Sequence, residues 1–145
     1  MEILEARKII EPEIAKLAAR RRIEKDMDRI NHLIRRAYDY RSPGAGRPIE
    51  RIIENDMEIH RSFAQACHNE VLISVQQKLL EFMRKRGWQE LQKRVDVQPR
   101  LVDRYWREHK AIAEWICQGK ALQAGRAMRR HLQGIAKDLL KQVQG

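Results

Sequence analysis

Apolar residues recur every three or four positions along most of this chain, which is the spacing of one face of an α-helix. The pattern predicts six helical segments, with approximate bounds Glu2 to Arg22, Ile23 to Tyr40, Pro48 to Cys67, Glu70 to Arg86, Pro99 to Gln118 and Ala121 to Gln142. The stretch from Ser42 to Pro48 is rich in proline and glycine and is predicted to be a loop. Residues 87–99 are polar and leave open whether a further short helix is present. No strand alternation of useful length occurs, so we predict an all-α antiparallel bundle of six or seven helices.

Four polar side chains occupy positions on these apolar stripes where helical spacing calls for a core residue. They are Asp56, His60, His109 and His131. The stripes that contain them run Ile49, Ile53, Asp56, His60, Phe63, Cys67, then Val102, Tyr105, His109, Ile112, Ile116, and finally Ala124, Met128, His131, Ile135, Leu139. Because an unpaired buried polar group is costly, all four need partners. One divalent metal would satisfy them together, and bundle cores commonly hold metals in this way.

The spacing around Gly119 predicts that two of the histidines meet. His109 precedes Gly119 by ten residues and His131 follows it by twelve. These separations correspond to roughly 15 and 18 Å along a helix. In a tight helical hairpin the two side chains therefore come to about the same height, each on the inward stripe of its own helix.

The first pair, Asp56 and His60, is four residues apart and shares one face of a single helix. Taken alone, such a pair is also typical of a surface ion pair, and a single buried histidine is also typical of an imidazole bonded to a carboxylate or a carbonyl group. His32 lies off its apolar stripe and His68 lies at a helix end, so neither is assigned a metal role.

Arg7 is a further polar residue on an apolar face, four residues after Ile3 and three before Ile10. A buried guanidinium group needs an anion, and its planar fork suits a carboxylate. We therefore expect Arg7 to have an anionic partner, and an ion pair with Glu5, Glu11 or another acid of the chain is one such partner.

The composition is that of one globular domain with a basic surface. The chain has 145 residues, 43% of them hydrophobic, and a formal net charge of +10. Because basic and acidic residues are interleaved without alternating aromatic residues, we interpret them as solvated helix faces, with direct nucleic-acid contact as the alternative.

No signal peptide and no apolar run of about 18 residues occurs, so we expect a cytoplasmic protein without membrane contact. Cys67 and Cys117 have apolar neighbours and are predicted to be core residues rather than a disulfide.

Three stretches of sequence form a recognisable combination. The chain opens with ILEARKIIEP, followed by AKLAA; residues 55–69 read NDMEIHRSFAQACHN; and EHKAI and MRRHL contain His109 and His131. Together these stretches resemble the FCD domain, the effector-binding half of the FadR subfamily of GntR-type bacterial transcription regulators, over essentially the whole chain. Ile59 stands where that family usually has phenylalanine, and Lys120 stands where it often has aspartate.

The resemblance implies one divalent metal in the core, bound by Asp56, His60, His109 and His131. A small organic acid would bind beside the metal or on it, with Arg7 as the candidate for its carboxylate. Mixed nitrogen and oxygen ligation suits Zn, Ni, Co, Mn or Fe, so the identity of the metal stays open. The resemblance also implies a homodimer, and DNA binding through an N-terminal winged helix-turn-helix domain. We expect residues 1–145 to be a single FCD domain without that domain.

Two other classes of function stay open from the residues alone. A mononuclear metalloenzyme would use open metal positions, but the chain has no HExxH motif, no Glu-x-x-His pair and no nucleophile paired with a base. A basic helical module that binds nucleic acid is suggested by the net charge alone. We therefore predict a metal-dependent ligand sensor rather than an enzyme.

Overall fold

The computed structural model describes residues 1–41 and 48–145, which form seven α-helices and no strand. The helices are α1 (Glu2–Arg21), α2 (Glu24–Tyr40), α3 (Ile49–Ala66), α4 (Glu70–Met83), α5 (Arg86–Asp96), α6 (Pro99–Cys117) and α7 (Ala121–Gln144). The predicted loop lies outside the described residues, apart from Pro48. The prediction of an all-α bundle with six or seven helices is confirmed.

The segment that the sequence pattern left open is helix α5. Its buried residues are Trp88, Gln92, Val95 and Asp96, which fall one and two helical turns apart. Two of these four are polar, so the apolar periodicity is weak although the helix packs one face inward. The preceding helix ends at Met83 rather than near Arg86. Lys85 takes an extended backbone conformation, with ψ 146°, and separates the two helices.

Defined turn residues connect the helices that carry the site. The side chain of Asn69 accepts a hydrogen bond of 3.0 Å from the backbone N–H of Leu72 and so caps the N-terminus of α4. Pro99 is the first residue of α6, where its missing N–H is not needed. Gly119 lies in the short α6–α7 turn with φ +73°, a left-handed conformation that favours glycine.

The predicted apolar stripes face the core. All five residues of the α6 stripe and all five of the α7 stripe are buried. On α3, His60 and Phe63 are buried as predicted, but the side chain of Asp56 is 23% exposed. Helix α3 also buries residues on its other sides, such as Met57 and Ile59, because α1, α2, α4 and α5 all pack against it. The histidines of α3, α6 and α7 are thereby directed into one interior.

Two expectations from composition can be compared with the structure. Cys67 is buried and Cys117 is half-buried, and both are free thiols, which confirms that they form no disulfide with each other. Among the described residues, no helix combines the length and the apolar character that crossing a lipid bilayer requires.

Candidate metal centre

Three imidazole rings from three helices meet in the core. His60 of α3, His109 of α6 and His131 of α7 are all buried, and each offers a ligand nitrogen within 4.8 Å of the other two. The ring centroids of His109 and His131 are 4.4 Å apart. The prediction that the Gly119 hairpin brings these two side chains to the same height is confirmed.

The fourth predicted residue, Asp56, lies at the edge of this cluster. The Nε2 atoms of His60 and His109 are 3.0 Å apart, and Oδ1 of Asp56 is 3.2 Å from Nε2 of His109. Two atoms bound at right angles to one ion, each with a bond of about 2.1 Å, lie about 3.0 Å apart. Both separations are short enough for neighbouring ligands of one ion and are also those of direct hydrogen bonds; among the described residues the group that could hold a metal consists of His60, His109 and His131, without Asp56.

A buried ion pair on α1 orients His60. Oε1 of Glu11 accepts a hydrogen bond of 2.6 Å from Nδ1 of His60, and Oε2 of Glu11 accepts one from Nε of Arg7. Oε1 of Glu11 also accepts a bond of 3.2 Å from Nε2 of Gln76. Burial opposes ionisation of Glu11, but Arg7 and His60 outweigh it and hold the pKa of this carboxyl well below its usual range. This contact orients the ring so that Nε2 of His60 faces the cluster, 3.0 Å from Nε2 of His109.

A second acidic side chain contacts His131, although burial raises the pKa of this Glu108 carboxyl to about 7. Nδ1 of His131 lies 3.0 Å from Oε1 of Glu108 on the neighbouring helix. Its Nε2 atom is buried and has no hydrogen-bond partner among the described residues. Burial lowers the pKa of both His109 and His131 well below that of a free histidine, and the neighbouring imidazoles add to this effect. An orphaned ring nitrogen that faces two further ring nitrogens fits a metal ion.

A cleft opens onto the cluster from the side of α2, α3, α5 and α6. Its volume is about 400 Å³ including the open mouth, and its walls include Asp56 and His109, so that it reaches two of the four predicted metal ligands. Asp96 and Asn55 are further polar residues of its lining, and Trp106 is one of its aromatic residues. A cleft walled by apolar and aromatic groups with a few polar ones is typical in its composition of sites for small molecules.

Arg7 lies elsewhere in the site. It is 1% exposed and binds Glu11, which is one of the acids considered as the alternative from the sequence. It is absent from the lining of the cleft. Its Nη2 atom is buried without a hydrogen-bond partner among the described residues, so one N–H group stays available for an anion. Its role in binding a ligand stays a prediction.

Three residues of the site were missed as functional residues by reasoning from the sequence. Glu11 could have been found, because it lies on the apolar stripe of α1 that runs Leu4, Arg7, Glu11, Ile14 and Ala18. Glu108 gives no such signal, since it is half-buried and precedes His109 directly. Asp96 falls in the polar segment that was left unassigned. The two excluded histidines are not part of the cluster: His32 is exposed, and Nε2 of His68 is 2.6 Å from Asp26.

Comparisons with known proteins place this site in a family context. Over 140 residues the chain is 31% identical to the HTH-type transcriptional regulator LutR of Bacillus subtilis. The matched region is 92% of this chain and 59% of that protein. Over 141 residues it is 24% identical to the Uxu operon regulator of Haemophilus influenzae. The matched region is 97% of this chain and 51% of that protein. The chain thus spans between half and three fifths of the length of these relatives. Residues 2–134 match the FCD domain, and the chain therefore belongs to the FCD domain family.

Proposed function

We propose that this chain is the effector-binding domain of a bacterial transcription regulator and that it senses a small organic acid at a divalent metal site. The buried cluster of His60, His109 and His131, with a cleft leading to it, is the observation that carries this proposal. One relative is named a transcriptional regulator and the other an operon regulator, which supports a sensing role over a catalytic one.

The residues present fit a metal of the Zn, Ni, Co, Mn or Fe type. His60, His109 and His131 would hold it through ring nitrogens, and Asp56 would hold it through a carboxylate oxygen. Nε2 of His131 supports this assignment, since it is buried without a hydrogen-bond partner among the described residues. Burying a ring nitrogen without a partner destabilises the folded state, and a bound metal ion would supply that partner. A bound divalent ion would supply a Lewis acid that attracts the carboxylate of a ligand.

The protein's own groups would position such a ligand. The cleft admits it from the side of Asp56 and His109. Arg7 is the second candidate for contact with its carboxylate, because Nη2 has no partner among the described residues. Arg7 binds Glu11, and Glu11 contacts Nδ1 of His60, so this guanidinium is separated from the cluster by a single side chain.

Helix α1 would carry the signal to a DNA-binding domain. Glu11 connects α1 directly to His60, and α1 packs against α3, α4, α6 and α7. A ligand that binds one arrangement of these helices more tightly than another would shift α1, because only differential affinity moves such an equilibrium. DNA binding through an N-terminal domain and assembly as a homodimer belong to this proposal, as does a cytoplasmic location.

Thermal unfolding in the presence of organic acids tests the proposed function. We expect at least one small carboxylic acid, at about a hundred times its dissociation constant, to add roughly 2.7 kcal/mol to the stability of the zinc-loaded protein. For a domain of this length that corresponds to a rise of roughly 5–10 °C in the melting temperature. Measurements on protein treated with a chelator, and again after zinc is returned, provide the control.

Two outcomes of the thermal unfolding experiment would contradict the proposal. If the same acid raises the melting temperature equally with and without chelator, the metal has no part in ligand binding. If no acid of three to six carbons stabilises the zinc-loaded protein, the proposed sensing function is wrong.

A further inference from the structure

The solvent-facing side of α7 carries basic residues and, among the described residues of this helix, no acidic one. Residues 115–145 include six lysine and arginine residues and one acidic residue, so this stretch supplies half of the formal net charge of +10. The acidic residue, Asp138, is buried and accepts hydrogen bonds from Arg104 and Tyr105 of α6. The six basic residues are all exposed: Lys120, Arg126, Arg129, Arg130, Lys137 and Lys141. The interleaving of basic and acidic residues along the chain therefore ends at Glu114.

These six cations have no anionic partner in the chain. None of them forms an ion pair with a residue that the structure describes. The acidic side chains of the two helices that pack beside α7 are engaged elsewhere. Glu13 of α1 pairs with Lys16 at 2.9 Å, and Glu108 of α6 contacts His131 and Arg104. The positive charge of this helix face is thus left for a partner outside the described chain.

Four of the cations form a row along the helix. They follow one another at intervals of four, seven and four residues: Arg126, Arg130, Lys137 and Lys141. At about 100° per residue these four positions fall within about 60° of the helix circumference. From the first to the last, the row is about 22 Å long. Lys137 and Lys141 lie beyond residues 2–134, which match the FCD domain, so the complete row is a feature of this chain.

A long row of unpaired cations fits the phosphate backbone of duplex DNA. Duplex DNA carries one negative charge per about 1.7 Å of its axis, so the row would face roughly thirteen of them. Residues 116–145 contain no phenylalanine, tyrosine or tryptophan, whereas proteins that bind single strands use aromatic side chains as stacking platforms. The face therefore offers charge for a backbone and nothing on which unpaired bases could stack.

A lipid surface fits this helix less well than DNA does. A helix that lies in a membrane surface inserts an apolar face into the lipid. The apolar face of α7 is buried against α1 and α6. Its exposed apolar residues lie near the two ends of the helix, Leu122 at one end and Leu140 and Val143 at the other, so they form no continuous face.

We propose that the exposed face of α7 binds the phosphate backbone of duplex DNA without reading its sequence, and so adds affinity when the regulator binds its operator. This assignment rests on the part of the proposed function that places the domain in a DNA-binding regulator, and it requires neither the metal nor the organic acid. Contacts to phosphates position a protein on DNA but carry no sequence information, so the face is expected to bind DNA of any sequence.

Fluorescence anisotropy with a labelled duplex tests this assignment on the 145-residue chain itself. The duplex has roughly 30 base pairs of arbitrary sequence, and binding is measured between about 25 and 150 mM salt. We expect the logarithm of the binding constant to fall linearly with the logarithm of the salt concentration, with a slope of about −3 to −5, because each neutralised phosphate contributes about −0.9.

A triple variant assigns the binding to α7. It combines Arg126→Gln, Lys137→Gln and Lys141→Gln, each at least five residues from His131 in sequence, so the histidine cluster keeps its surroundings. We expect its affinity for the duplex at the lowest salt to fall at least about tenfold and the slope to shrink by about 2 to 3. Because the three side chains are exposed and have no ion pair among the described residues, the melting temperature should stay unchanged.

A second triple variant is the matched control for net charge. It combines Lys25→Gln, Arg35→Gln and Arg51→Gln, which are exposed cations of α2 and α3. Its charge changes by the same amount as that of the α7 variant. We expect it to keep the slope and to bind the duplex within about threefold of the unmodified chain, since long-range attraction alone is largely screened.

Four results would overturn the assignment. They are the absence of duplex binding at the lowest salt, an equal loss of affinity in the two triple variants, equally tight binding of a single strand of the same length, and tighter binding of phosphatidylserine vesicles than of the duplex. Acid sensing at the metal site is measured separately by thermal unfolding, so either proposal can fail while the other stands.

Discussion

Replacing Glu11 by glutamine is expected to lower the free energy of unfolding by about 3–5 kcal/mol. The Glu11 carboxylate is 2% exposed and accepts hydrogen bonds from Arg7, His60 and Gln76. Its removal leaves the guanidinium group of Arg7, which is 1% exposed, as a buried charge without a counter-ion. Breaking a buried ion pair on one side is far more costly than losing a surface pair, because the remaining charge has neither water nor partner.

Chemical denaturation with a chelator present measures this effect without a contribution from metal binding. Glu13→Gln is the matched control on the same helix. Glu13 is exposed and pairs with Lys16 at 2.9 Å, and loss of such a pair costs less than about 1 kcal/mol. Equal stabilities for the two variants would show that the ion pair of Glu11 with Arg7 does not hold the core together.

Replacing His131 by alanine is expected to weaken zinc binding by more than about a hundredfold. Loss of a residue that only orients a ligand typically costs 10–100-fold in metal affinity, and His131 would be lost as a ligand itself. Its buried Nε2 is the ring nitrogen for which the described residues provide no other partner. The affinity is measured by competition with a metal-sensitive dye.

His32→Ala is the control for this second prediction. His32 is an exposed histidine on α2, so its removal changes the number of histidines in the chain without touching the cluster. We expect this variant to bind zinc as the unmodified protein does. A zinc affinity of His131→Ala within tenfold of the control would exclude His131 as a ligand.

Periodicity was sufficient to predict the fold, the burial of the three histidines and the meeting of His109 with His131. His60, His109 and His131 each replace an apolar residue on a regular stripe, so the sequence shows both that they are buried and which way they face. The turn at Gly119 then sets the relative positions of His109 and His131 along the axes of α6 and α7. Helices are local structures, and this information lies within about twenty residues of chain in each case.

The rest of the site depends on contacts between distant segments, which no local pattern contains. Glu11 is 49 residues from His60 in sequence, and it could be identified as interior but not as the partner of that histidine. Asp96 lies on a helix whose buried face is half polar, so neither the helix nor the cleft beside it follows from the apolar pattern. Asp56 was expected in the core but lies partly exposed at the wall of that cleft, because α5 and α6 leave an opening there.

The most direct test of the proposed metal centre is an anomalous difference map from crystals of the zinc-loaded protein, recorded at the zinc absorption edge. We predict one strong peak in the core, about 2.0–2.2 Å from ring nitrogens of His60, His109 and His131 and from a carboxylate oxygen of Asp56. The absence of a peak among these residues, or a peak bound only by other side chains, would contradict the account.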